Sequence, residues 1–442
     1  MQQIGFPRGC NVSDGGNGMV SKFSHLYSKN AREMKASEIR ELLKLTERKD
    51  IISFAGGLPN PGAFPVDKVR EICNHLLDEK GANILQYGTT EGVMELRKAI
   101  ADRMNKKGMD INYHNVLITS GSQQALDIIG KTFLDPDDTV IVGAPTYLGA
   151  TNAFRSYGAV MEGVPLDENG MDPELLEEKI RLLQMHGRSP ELLYLIPAFQ
   201  NPSGVTIPLE RRKRILDIAR EYDMVVVEDA PYSELRYSGE ALKPMKAMDE
   251  DGRVIYLGTF SKILAPGFRV AWCIAEPDLL NKLIIVKQAS DLCTNTFGQH
   301  IAAEYLNRGY IDEHLEKIKS LYKRKRDSML AAMDAHFPAE AKWTKPEGGM
   351  FIWVTLPKCI DTKDMFVRAL ENSVAYVHGA SFFADRSGKN TMRLNFTYAS
   401  DEDIDIGIKR LADTIRQELE TCRKEGKGKD FRPNEEGLVV GV

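Results

Sequence analysis

Cysteine is sparse and scattered. Six residues (Cys10, Cys73, Cys273, Cys293, Cys359 and Cys422) are spread over 442 positions with no C-x-x-C pair, which argues against both a disulfide framework and a zinc ribbon. The eight histidines form no H-E-x-x-H, so a zincin-type site is not indicated either. No apolar run approaches the roughly 18–20 residues a bilayer-spanning helix needs. The stretch Met1–Ser21 lacks the apolar core of a secretory signal. Basic excess is missing too: the formal net charge is −5 and the pI about 6.0, which speaks against a nucleic-acid partner. The one basic run, Arg211-Arg212-Lys213-Arg214, stands beside Glu210 and Asp217 and reads as a solvated helix face. No internal repeat is evident. These absences describe a chain with reduced thiols, no membrane and no nucleic acid among its partners, and a cytoplasmic setting.

What is present is alternation. Runs rich in Val, Ile and Leu occur at 115–119, 139–143, 192–196, 224–227, 254–257 and 269–274. Most are apolar on both faces, as strands covered by helices on each side are. The segments between them carry a 3.6-residue period; after Pro208, residues Ile215, Ile218, Ala219 and Tyr222 share one stripe. Strand–helix alternation on this scale predicts an α/β domain with a mostly parallel central sheet. From about residue 320 the texture changes to a smaller α+β unit: a long charged helix over 311–337, strands near 348–354, 374–377 and 391–396, and helices over 362–372 and from about Asp401. The chain thus divides into a flexible arm (1–30), an N-terminal segment packing with the small unit (31–65), a large domain (66–320), a small C-terminal domain (321–425) and a disordered tail (426–442).

Ligands of parallel sheets bind at the carboxyl ends of the strands, so the residues just past each run matter most. Ser120-Gly121-Ser122-Gln123-Gln124 enters a helix, a setting suited to a phosphate, although on its own this turn reads more readily as an ordinary N-cap by Ser122. Asn201-Pro202-Ser203-Gly204 comes after the run at 192–196. Glu228-Asp229 ends the next, where a carboxylate needs a cation or a donor, or serves as a helix cap. Gly258-Thr259-Phe260-Ser261-Lys262 comes after the fifth, and beyond Pro266-Gly267 stands Arg269, which opens the next strand. A turn there can bring Lys262 and Arg269 to one small anion.

S-K-x-x-x-P-G-x-R, read as Ser261-Lys262 through Pro266-Gly267 to Arg269, resembles the cofactor-lysine motif of the class I and II aminotransferases, the fold-type-I enzymes of pyridoxal 5′-phosphate (PLP). Matching segments run from about Arg40 to Arg393. They look most like the 2-aminoadipate, kynurenine and broad-specificity aromatic aminotransferases at 37–42, 54–61, 85–88 and 346–351. Two departures are Thr259, where serine is common, and Pro231 between Asp229 and Tyr232.

The resemblance implies a set of roles. Lys262 would hold the cofactor covalently and move the proton from the substrate Cα. Asp229 would pair with the pyridine nitrogen, Asn201 and Tyr232 with the ring's 3′-oxygen, and Tyr147 would stack on the ring. Ser122, Gln123, Thr259, Ser261 and Arg269 would take the phosphate, with Tyr87 arriving from the other subunit of a homodimer. Arg393 would clamp the substrate α-carboxylate, as a planar fork can. Gly57 would let the backbone approach the substrate, and Arg40 would meet a distal carboxylate or else lie on a helix surface. Asn201–Pro202 is expected to be cis. The implied activity is ping-pong transfer of an amino group from an L-amino acid to a 2-oxo acid, 2-oxoglutarate foremost. A PLP-dependent C–S β-lyase stays open as an alternative. A PLP-sensing regulator is disfavoured by the lack of a helix-turn-helix pattern.

Overall fold

The computed structural model describes residues 22–34 and 50–426. Arg40 and the segment around it, and the tail beyond 426, lie outside the described residues. Within the first 34 residues, Lys29–Glu33 form a short helix capped by the Ser28 hydroxyl, and Asn30 Nδ2 donates to Ser156 O at 2.9 Å.

An eight-stranded sheet organises residues 116–274. Its spatial order is Val116–Thr119, Ala271–Ile274, Val254–Thr259, Val225–Asp229, Pro190–Leu195, Thr139–Ala144, Val160–Asp167 and Gly170–Met171. The inner strands are buried on both faces, as their apolar runs foretell. Helices such as Ser122–Phe133 and Leu209–Glu221 cover them. The sheet is mixed. Pairing is parallel from Val254–Thr259 across to Val160–Asp167, but Ala271–Ile274 runs antiparallel to both its neighbours. Val160–Asp167, with Glu162, Gly163 and Pro165 in its length, had no apolar run to announce it.

The reversed strand brings separate loops to one edge of the sheet. Ala271 is opposed by Thr119 on one side and by Thr259 on the other. Its strand therefore begins at the edge where both neighbours end. Arg269, two residues earlier, emerges beside the turn at 120–122 and beside Ser261. Arg269 does not open the strand as expected. It closes the short 3-10 turn Pro266–Phe268 in a left-handed conformation, φ 50°.

The smaller unit carries a four-stranded antiparallel sheet, ordered Lys342–Trp343, Phe351–Thr355, Thr391–Asn395, Val377–His378. Its helices include Tyr310–His336, Thr362–Glu371 and Asp401–Lys424. Ile52–Ser53 pairs in parallel with Val374–Ala375, tying the N-terminal segment to this unit.

One expectation about charge fails. Arg212, read as part of a solvated basic face, is buried, and its guanidinium donates to the carbonyls of Pro197, Ile207 and Lys243 at 2.9–3.0 Å. A planar fork with five donors can staple three chain segments at once, which outweighs the cost of removing it from water. Among the described residues, no helix is long and apolar enough to cross a membrane, and no cluster of His, Cys, Asp or Glu could hold a metal ion.

Candidate active site

A cleft of about 1020 Å³ opens where the carboxyl edge of the large sheet meets the smaller unit. Its wall includes Gly57, Ser122, Gln123, Tyr147, Asn201, Asp229, Tyr232, Thr259, Ser261, Lys262, Arg269 and Arg393. Tyr87 is not in the wall; it stands 82% exposed on the surface. Arg40 lies outside the described residues.

Three of these groups are held ready without a partner for every polar atom. Ser122 Oγ, Asp229 Oδ1 and Arg393 Nε are buried and lack hydrogen bonds. Buried polar atoms left unpaired are rare and costly, so their convergence on one cleft marks a place built for a polar ligand.

At one end, Ser122 opens the helix Ser122–Phe133 behind Gly121, which takes φ 79°. The N-cap position is Gly121, so Ser122 is not the ordinary cap that the sequence also allowed. A Cβ on Gly121 would lie 2.2 Å from an Arg269 guanidinium nitrogen, so the guanidinium rests directly on this turn. Thr259 Oγ1 donates to Ser261 Oγ at 3.0 Å. Helix N-terminus, hydroxyls and guanidinium together form an anion cradle.

In the middle, Lys262 Nζ donates to Gly57 O at 2.9 Å. Burial lowers its pKa to about 8, with the Arg393 and Arg269 charges adding to the effect. An amine so tuned supplies a neutral nucleophile and base near neutral pH. Asp229 is forced the other way: burial raises its carboxyl to about 7, opposed by the hydrogen bond that Tyr194 donates to Oδ2 at 2.8 Å. Asn201 Nδ2 donates to the Tyr232 hydroxyl at 3.4 Å. The Asn201–Pro202 bond is cis, as expected, and so is Ala144–Pro145, which was not foreseen.

At the other end, Arg393 lies 4.2 Å from the centre of the Phe351 ring and 5.1 Å from that of Phe382. Its Nη1 donates to Asn201 Oδ1 at 2.9 Å and its Nη2 to Ala55 O at 2.8 Å. Burial lowers its pKa to about 10, which still leaves it charged at neutral pH.

A Lys in this setting, beside an anion cradle, a buried carboxylate and a second fork, decides between known families. The pattern of the class I and II aminotransferases matches residues 49–411. This chain belongs to the class I and II aminotransferases. It is 55% identical over 398 residues to aromatic-amino-acid aminotransferase 1 of Thermococcus litoralis, covering 90% of this chain and 95% of that one. It is 44% identical over 398 residues to the 2-aminoadipate transaminase of Thermus thermophilus, covering 89% and 97%. The crystal structure of Pyrococcus horikoshii kynurenine aminotransferase in complex with PMP superimposes with a TM-score of 0.88 at 52% identity, covering 91% of this chain and 100% of that one.

The aminotransferase therefore takes PLP as its cofactor, and the cleft fits that molecule on its own terms. The cradle around Ser122 suits a phosphate. The Asp229 carboxylate, buried and one bond short, suits a protonated ring nitrogen.

Sequence reasoning missed Tyr194, Phe351 and Phe382 as individual site residues. Tyr194 looked like one more apolar residue in a core strand. Its only signal was a phenol two residues from the end of the run at 192–196, which is otherwise made of Leu and Ile.

Proposed function

We propose that this aminotransferase moves the amino group of an aromatic L-amino acid, 2-aminoadipate or glutamate to a 2-oxo acid, 2-oxoglutarate foremost. The route is ping-pong: the first 2-oxo product leaves before the second substrate enters. The observation that carries the reading is Lys262, a lowered-pKa amine placed between the anion cradle and the Arg393 fork. The names of the similar proteins support the aromatic and 2-aminoadipate donors.

When bound, PLP supplies an aldehyde carbon and a ring that draws electrons from the substrate's Cα. The chain supplies everything else. Ser122, Gln123, Thr259, Ser261 and Arg269 hold the phosphate. Tyr147 would cover one face of the ring, Asn201 and Tyr232 would meet the 3′-oxygen, and Asp229 would face the ring nitrogen. Arg393 grips the α-carboxylate and Gly57 leaves room for the backbone to come close. Orientation of the Cα–H bond follows from these fixed points, and orientation is worth several kcal/mol of barrier. Lys262 would hold the cofactor and would take the proton from the substrate Cα. The enzyme works as a cytoplasmic homodimer in which Tyr87 reaches the partner's phosphate, and Arg40 meets a distal carboxylate when the substrate has one.

A panel of amino acids tests this, with the cofactor's absorbance followed in each half-reaction. Phenylalanine, 2-aminoadipate and glutamate should each convert one equivalent, and 2-oxoglutarate should restore the starting spectrum. Turnover without an acceptor, with pyruvate and ammonia released from a β-substituted amino acid, would contradict it.

A further inference from the structure

Tyr194 is fully buried in the strand Pro190–Leu195, opposite Val227 in the neighbouring strand. Two residues beyond Val227 on the same face comes Asp229. The phenol reaches across that diagonal and donates to Asp229 Oδ2 at 2.8 Å. Phe154 fixes the Tyr194 ring from the side, edge-on at 5.9 Å. The two carboxylate oxygens are thereby made unequal. Oδ2 is committed to the phenol, while Oδ1 is buried without a partner in a residue that lines the cleft.

The surroundings make this one bond decisive. On its own face of the sheet Asp229 has Tyr194 from the neighbouring strand, with Tyr232 from the loop after its own strand and Tyr147 in the same cleft wall; Tyr256 stands opposite Glu228 and so lies on the other face. The cations Lys262, Arg269 and Arg393 line the same cleft, yet among the described residues none forms an ion pair with Asp229. Burial is the largest influence on this carboxyl and favours its neutral form; the Tyr194 hydrogen bond is what opposes it. A phenylalanine would fill the same space, so packing alone does not account for the hydroxyl.

We infer that Tyr194 is a positioning residue for amino transfer: by donating to Oδ2 it turns Asp229 Oδ1 toward the cofactor ring and keeps the carboxyl ionised, so that the ring nitrogen holds its proton. This rests on the reading that Asp229 faces that nitrogen. Tyr194 touches neither substrate nor cofactor and acts through Asp229.

The test uses the PLP-loaded enzyme reconstituted with cofactor labelled with ¹⁵N at the ring nitrogen. In Tyr194→Phe the nitrogen resonance should move toward that of neutral pyridine. The acid limb of kcat/KM for phenylalanine should shift to higher pH, by about one unit, because a carboxylate that has lost a donor is protonated more readily. The turnover number should fall about tenfold with KM moving far less, the pattern of an interaction that acts on the reacting state. Asp229→Asn separates the two ideas. If it leaves the nitrogen resonance where it was, the reading of Asp229 fails. If it moves the resonance and Tyr194→Phe does not, the role of Tyr194 is refuted.

PLP affinity gives a second, independent check that does not need turnover. Tyr194→Phe should weaken binding in the native background and do little more in the Asp229→Asn background, as coupled residues do. Additive losses, or a loss matched by a lowered melting temperature of the cofactor-free protein, would make Tyr194 an ordinary core residue.

Discussion

Arg393 and Asn201 join the two larger sheets by one hydrogen bond, Nη1 to Oδ1 at 2.9 Å. Arg393 stands on Thr391–Asn395 of the smaller sheet, and Asn201 in the loop beyond Pro190–Leu195 of the larger one. With Nη2 on Ala55 O, the fork is oriented before any substrate arrives. A group fixed in advance loses little freedom on binding.

Replacing Arg393 by lysine should therefore cost far more than its charge would suggest. An ammonium cannot present two parallel donors to a carboxylate. We expect kcat/KM for phenylalanine to fall by about 100-fold, equivalent to roughly 3 kcal/mol of lost charge-assisted bonding. Steady-state kinetics on both variant and parent checks this. A loss under about threefold would show that the α-carboxylate is held elsewhere.

Gly121→Ala should damage cofactor binding. The added methyl would sit 2.2 Å from the Arg269 guanidinium, at a backbone φ of 79° that an L side chain rarely adopts. The guanidinium must move away from the anion cradle, and the turn is strained as well. We expect PLP affinity, measured by titrating cofactor-free protein, to weaken by about tenfold or more.

The rate of PLP capture should depend on pH through Lys262. Only the neutral amine attacks an aldehyde, and this amine has its pKa lowered to about 8. Capture by the cofactor-free protein should rise with pH and level off above that value. Stability has a matching sign. Between about 8 and the ordinary 10.5, the unfolded chain carries a proton the folded chain has shed, so the cofactor-free protein should gain stability as pH rises across this window. Lys262→Met should abolish both dependences, which stopped-flow absorbance and thermal melts at several pH values would reveal.

Tyr87 offers a test of assembly. Together with Leu85, Met94, Ile285 and Leu292 it belongs to the large apolar side chains exposed on the single chain. If subunits share sites, sedimentation should give twice the mass of 49.5 kDa. Tyr87→Ala should then weaken PLP binding by about tenfold, the order of one hydrogen bond to a charged group.

Much of this was legible in the residues, for identifiable reasons. Strands such as Val254–Thr259 are buried on both faces and so show as continuous apolar runs. Burial says nothing about direction, however, so the reversal of Ala271–Ile274 could not be read from its apolar residues. Val160–Asp167 went unseen because its exposed and half-buried positions carry Glu162, Gly163 and Pro165. In the site, Lys262, Arg269, Asn201 and Asp229 were found because turns and strand ends punctuate the sequence around them. Tyr194 was not, because a residue that acts from within a core strand has no such punctuation. Arg212 misled for the opposite reason: charge neighbours suggested water, while three carbonyls were waiting inside.

Covalent attachment of the cofactor to one lysine underlies every role assigned in the cleft. Borohydride reduction of the PLP-loaded enzyme, followed by peptide mapping, should find a single phosphopyridoxyl group, on the Nζ of Lys262. Finding it on a different lysine, or recovering protein that takes up no PLP at all, would contradict the assignment.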